Sequence, residues 1–437
     1  MERKYSTLLI PLFAVPIVLA ACGTGGTTSG PSSDENPESG VNGDVVTIDF
    51  FNQKPEITTQ LEELADMYSE ETGGNTEVTI TTVGSGEGSA GLQARFASGN
   101  EPALMMLGGL PEIERYSDSL LDVTELEMTD TIIDGMLEGG TIEGTPLGVP
   151  LNIEGFGWMY NKEIFEAAGV DPDSIQSYED FVSAVETLDS QKEELGIEEV
   201  FAFSGGENYI VNQFSANFTS PEFNESIIES YEAQELEWEY GDQMKKYTDL
   251  FNQYNVQPIL TVDYSRSVEE LFVNDQVAMV HQGIWIVPTL NEIDPAFAQE
   301  KLGMLPVYGE NDTEGKIIAG APFYVGINKN LDEAVVEEAK NFLDWMYTSE
   351  EGKEMITGDL AFVPAQEGYD PADISDPVSS DLYQSLLDGE TGAMTHKQYP
   401  DGWFQQVLYP EFQKYLNGDQ TWEEFEENTA RAFTEMR

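Results

Sequence analysis

Apolar and polar positions along this chain follow two alternating rhythms. Val45-Val46-Thr47-Ile48-Asp49-Phe50-Phe51 is a β-rich run suited to a buried parallel strand. The next segment places Leu61, Leu64, Ala65 and Tyr68 on one helical face. Glu77 to Val83 reads as a second strand, and Ala103-Leu104-Met105-Met106-Leu107 as a third. Ser177-x-x-Asp180 resembles a capping box, opening a helix with Phe181, Val185 and Leu188 on one side, and Thr421-x-x-Glu424 does the same for a last helix. Val336, Ala339, Leu343 and Met346 mark another, with Asp332 a candidate cap. Strands alternating with amphipathic helices predict an α/β fold. No internal repeat is visible.

The first residues break this pattern. Arg3 and Lys4 precede an apolar run from Leu8 to Ala21, too short to span a bilayer comfortably and ordered like a secretory signal. It ends Leu19-Ala20-Ala21-Cys22, followed by Gly23. Small residues before a lone cysteine resemble a lipobox, which predicts a signal peptide over 1–21 and lipid on Cys22; the bland alternative is a signal peptide with a chance cysteine. Arg3-Lys4 is not a twin-arginine pair, so the general secretory route is expected. Cys22 is the only cysteine, which excludes an internal disulfide and any CxxC motif. Residues 22–43 are rich in Gly, Ser, Thr and Pro and read as a flexible tether, roughly 25 Å from end to end. No later apolar stretch approaches a membrane span. The expected location is outside the cytoplasm, anchored by lipid to the cell membrane.

The remaining residues suffice for two lobes, each with its own core. Their charge narrows the function. Without residues 1–21 the chain keeps 81 acids against 17 bases, which excludes nucleic-acid binding through phosphates. Such a charge opposes compaction unless salt screens it, and in 1 M salt the Debye length falls to about 3 Å. A salt-loving, acidic protein with a solvated anionic surface follows. The competing reading, acids that bind cationic cargo, fits less well because they are spread along the whole chain.

From Thr145 the sequence reads TPLGVPLNIEGFGWMYNKEIF to Phe165, then Ala-Ala-Gly169. This resembles the signature of the extracellular solute-binding proteins of family 1, the group that contains maltose-binding protein. Tyr160, Asn161, Lys162, Phe165, Ala168 and Gly169 match its YNK-x-x-F-x-x-A-G pattern. Three further blocks match in order: Phe272 to Trp285; Gly320 to Ile327, with the helix around Phe342 and Ser349-Glu350-Glu351-Gly352; and Gly402-Trp403-Phe404. The resemblance implies two α/β lobes of the type II periplasmic-binding-protein fold, a ligand cleft between them, and three hinge crossings. These would lie near Val149–Ile153, Met304–Pro306 and Ala361–Pro364. The lobes would then be 44–151 with 305–363, and 152–304 with 364–437. It further implies a monomeric ABC-importer receptor that closes on a mono- or oligosaccharide and delivers it to permease subunits.

A pyranose has apolar faces and a rim of hydroxyls, so its site needs aromatic platforms beside Asp, Glu, Asn or Gln. The resemblance places Trp285, after Gly283, as a stacking residue, with Trp403 and Tyr209 at further aromatic positions and Glu207 at the rim. For all three rings core packing is the alternative. Glu154, six residues before Tyr160, matches an acidic cleft position. In the block that starts at Gly320, Phe323 and Tyr324 precede a strand at the rim, where core and rim stay equally open for the two rings. Asn52 and Gln53 follow the first strand, and Gly108 and Gly109 the third, where open α/β sheets place ligands. Trp158 and Tyr160 read as core beneath the cleft.

Gly86-Glu87-Gly88-Ser89-Ala90-Gly91 satisfies G-x-G-x-x-G, but Glu87 would repel a pyrophosphate. Gly86 and Glu87 are better read as a loop whose backbone approaches the cleft. With two histidines, no further thiol and no G-x-S-x-G elbow, the chain offers little for a triad, a zinc site or a cofactor. Two carboxylates suffice for a glycosidase, so a cell-surface glycoside hydrolase stays an alternative. So do a surface adhesin and the same fold binding a polyamine or peptide.

Overall fold

A computed structural model describes residues 39–437 except Asp44, Ser85, Gly86 and residues 312–314. The signal peptide, Cys22 and nearly all of the tether lie outside the described residues. The tether's expected end at residue 43 needs correction. β1 (Gly40–Asn42) pairs antiparallel with β2 (Val45–Asn52) as an edge strand. Gly43, at φ 70°, makes the turn between them.

The first sheet grows outward from β2. β3 (Thr76–Thr82) and β4 (Leu104–Leu107) flank it in parallel. After a small hairpin of β5 (Thr141–Ile142) and β6 (Thr145–Pro146) comes β7 (Val149–Pro150), at the far edge of the sheet. The predicted helical face is observed: Leu61, Leu64, Ala65 and Tyr68 are the buried residues of helix Thr58–Glu71. Helix Glu333–Thr348 packs beside it, with Phe342 edge-on to Tyr68 at 5.1 Å. Asp332 precedes that helix, but its side chain makes no capping bond.

The chain then leaves this sheet through Leu151–Ile153 and begins β8 (Glu154–Asn161), the centre of a second sheet. Around it stand β9 (Glu199–Phe201), β10 (Val277–Gly283), β11 (Leu302–Leu305) and β12 (Ile318–Gly320). All eight residues of β8 are buried, because sheet neighbours and helices enclose it. Trp158 and Tyr160 lie in this lobe's core, Trp158 fully enclosed and 4.8 Å from Phe201.

β13 (Tyr324–Ile327) belongs to the first sheet again, between β4 and β7. β14 (Gly392–Ala393) completes the second, beside β12. This topology moves the middle crossing. It lies at 321–323, because Gly320 still pairs with Glu154 in the second sheet while Tyr324 pairs with Leu107 in the first. Residues near Met304–Pro306 are no crossing: Leu302 to Leu305 run antiparallel along β8, from Asn161 to Trp158. Residues 305–320 therefore belong to the second lobe. At the third crossing Ile153 N donates to Val363 O at 2.7 Å, so two crossings are tied together. No described helix is long and apolar enough to cross a membrane.

Candidate functional site

The C-terminal ends of β2 and β4 open toward the second lobe, and the space between the lobes is a cleft of about 450 Å³. Its first-lobe wall begins just past β2. Asn52 lies beneath this wall: Nδ2 donates to Lys54 O (2.9 Å) and to Thr82 Oγ1 (3.0 Å), while Oδ1 accepts from Lys54 N (2.9 Å). It shapes the loop and does not line the cleft. Gln53 does line it, with Nε2 donating to Met106 O at 2.7 Å. Its amide lies where a side chain at position 88 would stand, so glycine there leaves Gln53 in this position.

Lys54 is the chief residue missed by sequence reasoning. Its ammonium is buried between Glu56, at 2.7 Å, and Glu154, which heads β8 in the other lobe. Burial pulls its pKa down, but the two carboxylates outweigh that and hold it well above the ordinary lysine value. Glu154 thus lines the cleft with its charge already engaged.

The second-lobe wall carries the aromatic rings. Helix Asn208–Thr219 presents Tyr209 and, one turn on, Gln213. Trp285 follows β10 and lies edge-to-face with Tyr209, centroids 6.4 Å apart. Trp285 Nε1 donates to Gln282 Oε1 at 2.9 Å, which fixes the ring's rotation. A Cβ at Gly283 would run into this indole and into the Gly155 carbonyl oxygen, so glycine lets the ring fold back over the strand. Glu207 Oε1 accepts from Tyr264 N at 3.1 Å, and both residues line the cleft. Burial, then the Glu207 charge, pushes the Tyr209 hydroxyl pKa far up, so it stays a neutral phenol.

At the floor, Phe323 in the middle crossing lies 4.7 Å beneath the Lys397 ammonium. Burial lowers the Lys397 pKa, against the opposing pull of Glu154 and Glu112. The lobes also meet along the rim. Leu110 N donates to Gln398 Oε1 (2.8 Å), Tyr231 Oη to Glu114 Oε2 (2.6 Å), and Arg115 pairs with Asp401.

Of the sequence candidates, Gln53, Gly108, Glu154, Glu207, Tyr209, Trp285 and Phe323 line the cleft. Others do not. Trp403 is fully buried in the second-lobe core, where Nε1 donates to Thr429 O at 3.0 Å; its neighbour Phe404 faces the cleft instead. One residue's turn at a helix start rotates a side chain by about 100°, which accounts for the slip. Tyr324 is a core residue of β13 whose ring packs against Gly139 and Gly140. Gly320 is buried in β12 against Met394. Gly109, at φ 89°, turns the chain into helix Leu110–Tyr116. Glu87 is exposed ahead of helix Gly88–Ser98, and Gly88 and Ser89 take the lining role expected of its loop. Gly86 lies outside the described residues.

Lys54, Glu56, Glu112, Gln213, Tyr264, Glu269, His396, Lys397, Phe404 and Gln405 line the cleft without having been singled out from sequence. Only Gln213 carried a usable signal, standing four residues after Tyr209 on one helical face. No cluster of three metal-ligating side chains occurs among the described residues. Flat rings on one wall, carboxylates and amides on both and a rim where the lobes meet suit reversible capture of a small polar guest.

A family model described as bacterial extracellular solute-binding protein matches residues 54–353. A multiple sugar-binding protein of Streptococcus mutans is 20% identical over 323 residues, 70% of this chain and 72% of that one. Among solved structures, a chitin oligosaccharide binding protein superposes with a TM-score of 0.72 at 21% identity, over 90% of this chain and 99% of the other. A sugar transporter of Bacillus licheniformis, solved with stachyose, gives 0.68 at 19% identity, over 90% and 100%. These likenesses show the two-lobed α/β fold.

Proposed function

The chain belongs to the bacterial extracellular solute-binding protein family, and we propose that it is the carbohydrate receptor of an ABC importer, held at the membrane through lipid on Cys22. As a member of this family it binds its solute without chemistry. In this reading a mono- or oligosaccharide enters between the lobes, the lobes close, and the closed form of a single chain docks on permease subunits. Closure is driven by the guest's greater affinity for the state in which both walls touch it.

One observation carries the choice of sugar: Trp285 and Tyr209 stand edge-to-face on one wall of a cleft whose lining also holds six carboxylates and four amides, beside further rings and prolines. An indole face suits the C–H face of a pyranose, and edge oxygens suit its hydroxyls. The sugar ligands named for the relatives above support the same class. The acidic composition supports a salt-rich working environment.

The test is tryptophan fluorescence in molar NaCl against raffinose, stachyose, chitotriose and maltotriose, with spermidine and a tripeptide alongside. A saturable shift with at least one sugar, recovered unaltered, is the expected result. A response to spermidine or peptide alone would overturn the sugar reading. Cys22→Ser is expected to move the protein from the membrane fraction to the soluble fraction.

A further inference from the structure

Three buried polar atoms on the second-lobe wall have no hydrogen-bond partner within the described chain: Gln213 Oε1, Gln405 Oε1 and His396 Nδ1. All three residues line the cleft, and Gln213 and His396 are only 8% and 2% exposed. Leaving such an atom unmet costs about as much as losing a hydrogen bond, so a wall that carries three requires a reason. An apolar side chain of the same shape would fill this space without that cost. The amide oxygens can only accept. The imidazole is kept neutral, since burial and then the neighbouring Lys397 charge press its pKa far down, and a neutral ring accepts or donates according to its tautomer. The surrounding carboxylates of Glu112, Glu154 and Glu207 are acceptors too, and would repel an anion. Two lysines are the nearby exceptions: Lys54 is already held between Glu56 and Glu154, and Lys397 rests on the Phe323 ring.

Resting on the carbohydrate reading above, we propose that Gln213, His396 and Gln405 form a subsite that reads the free hydroxyls of one neutral saccharide unit. Hydroxyls supply the missing donors and accept where the imidazole donates. Acidic sugars are rejected.

Gln213→Met and Gln405→Met keep side-chain length and remove the acceptor. Each variant is compared with wild type by ligand-free melting in molar salt and by titration with the tightest-binding neutral sugar of the panel. Trigalacturonate serves as the anionic probe. The expected result is a melting temperature equal to or above wild type, affinity lowered about tenfold, and no binding of trigalacturonate. Undiminished affinity in both variants overturns the subsite. So does a melting temperature lowered by several degrees in both, which marks the amides as structural, or trigalacturonate binding as tight as the neutral sugar. A wild-type protein that binds none of the sugars removes the carbohydrate reading, and the subsite with it.

Discussion

Replacing Trp285 by alanine is expected to weaken sugar binding 10- to 100-fold, about 1.5–3 kcal/mol of lost ring contact, measurable by calorimetric titration. Lys54 acts through the frame. Lys54→Met would leave Glu154 buried without its cation, a loss of about 3–5 kcal/mol visible in urea melts. Because the folded pKa of Lys54 is raised, its stabilising share is complete below the unfolded value near 10.5. It is lost only as pH climbs beyond that, through the folded value. His281 has the opposite sign. Neither ring nitrogen has a hydrogen-bond partner among the described residues, and burial holds its pKa at about 3. Folding therefore excludes a proton that the unfolded chain takes up below pH 6.5, and stability drains away as pH falls from there toward 3. His281→Phe is expected to shallow that acid limb by about 3 kcal/mol between pH 7 and pH 4, read from melting curves. Trp285 and Glu154 were legible because the family resemblance sets each at a fixed count from a marked residue, Gly283 or Tyr160. Lys54 was not, since Glu154, its partner in the other lobe, lies 100 positions away, a distance no local pattern spans.

Among elements, those that carry their own punctuation read best. The Thr421 box forms in both directions, Thr421 N to Glu424 Oε2 at 2.8 Å and Glu424 N to Thr421 Oγ1 at 3.2 Å. Thr421→Ala is expected to cost about 1 kcal/mol in thermal unfolding without altering the cleft. Helices 58–71 and 333–348 were legible from apolar spacing, which depends only on the helix's own period. Whether a strand ends a lobe depends on which neighbour receives it. Leu302–Leu305 carries no mark of its antiparallel partner β8, and the second crossing was misplaced for that reason. Gly283 is the element-scale constraint on the site. Gly283→Ala is expected to displace the indole and to press on the Gly155 carbonyl of β8, so that sugar binding and melting temperature fall together.

At the scale of the whole molecule, 82 acids against 19 bases set the conditions under which everything else operates. Melting temperature is expected to rise steadily from 0.1 to 2 M NaCl, as screening removes self-repulsion. A flat or falling curve would count against a salt-rich habitat. The exposed Arg115–Asp401 pair at the rim is worth little by itself. The interleaving of the lobes has a further consequence, for biogenesis. β13 inserts between β4 and β7, so the first sheet lacks an inner member until residue 327 has been made, and the second waits for β14 near the C-terminus. A polypeptide threaded out N-terminus first keeps both halves unfinished until most of it has emerged. A premature stop or an early proteolytic nick would therefore ruin the pair together, and neither half is a module that recombination can trade as one block.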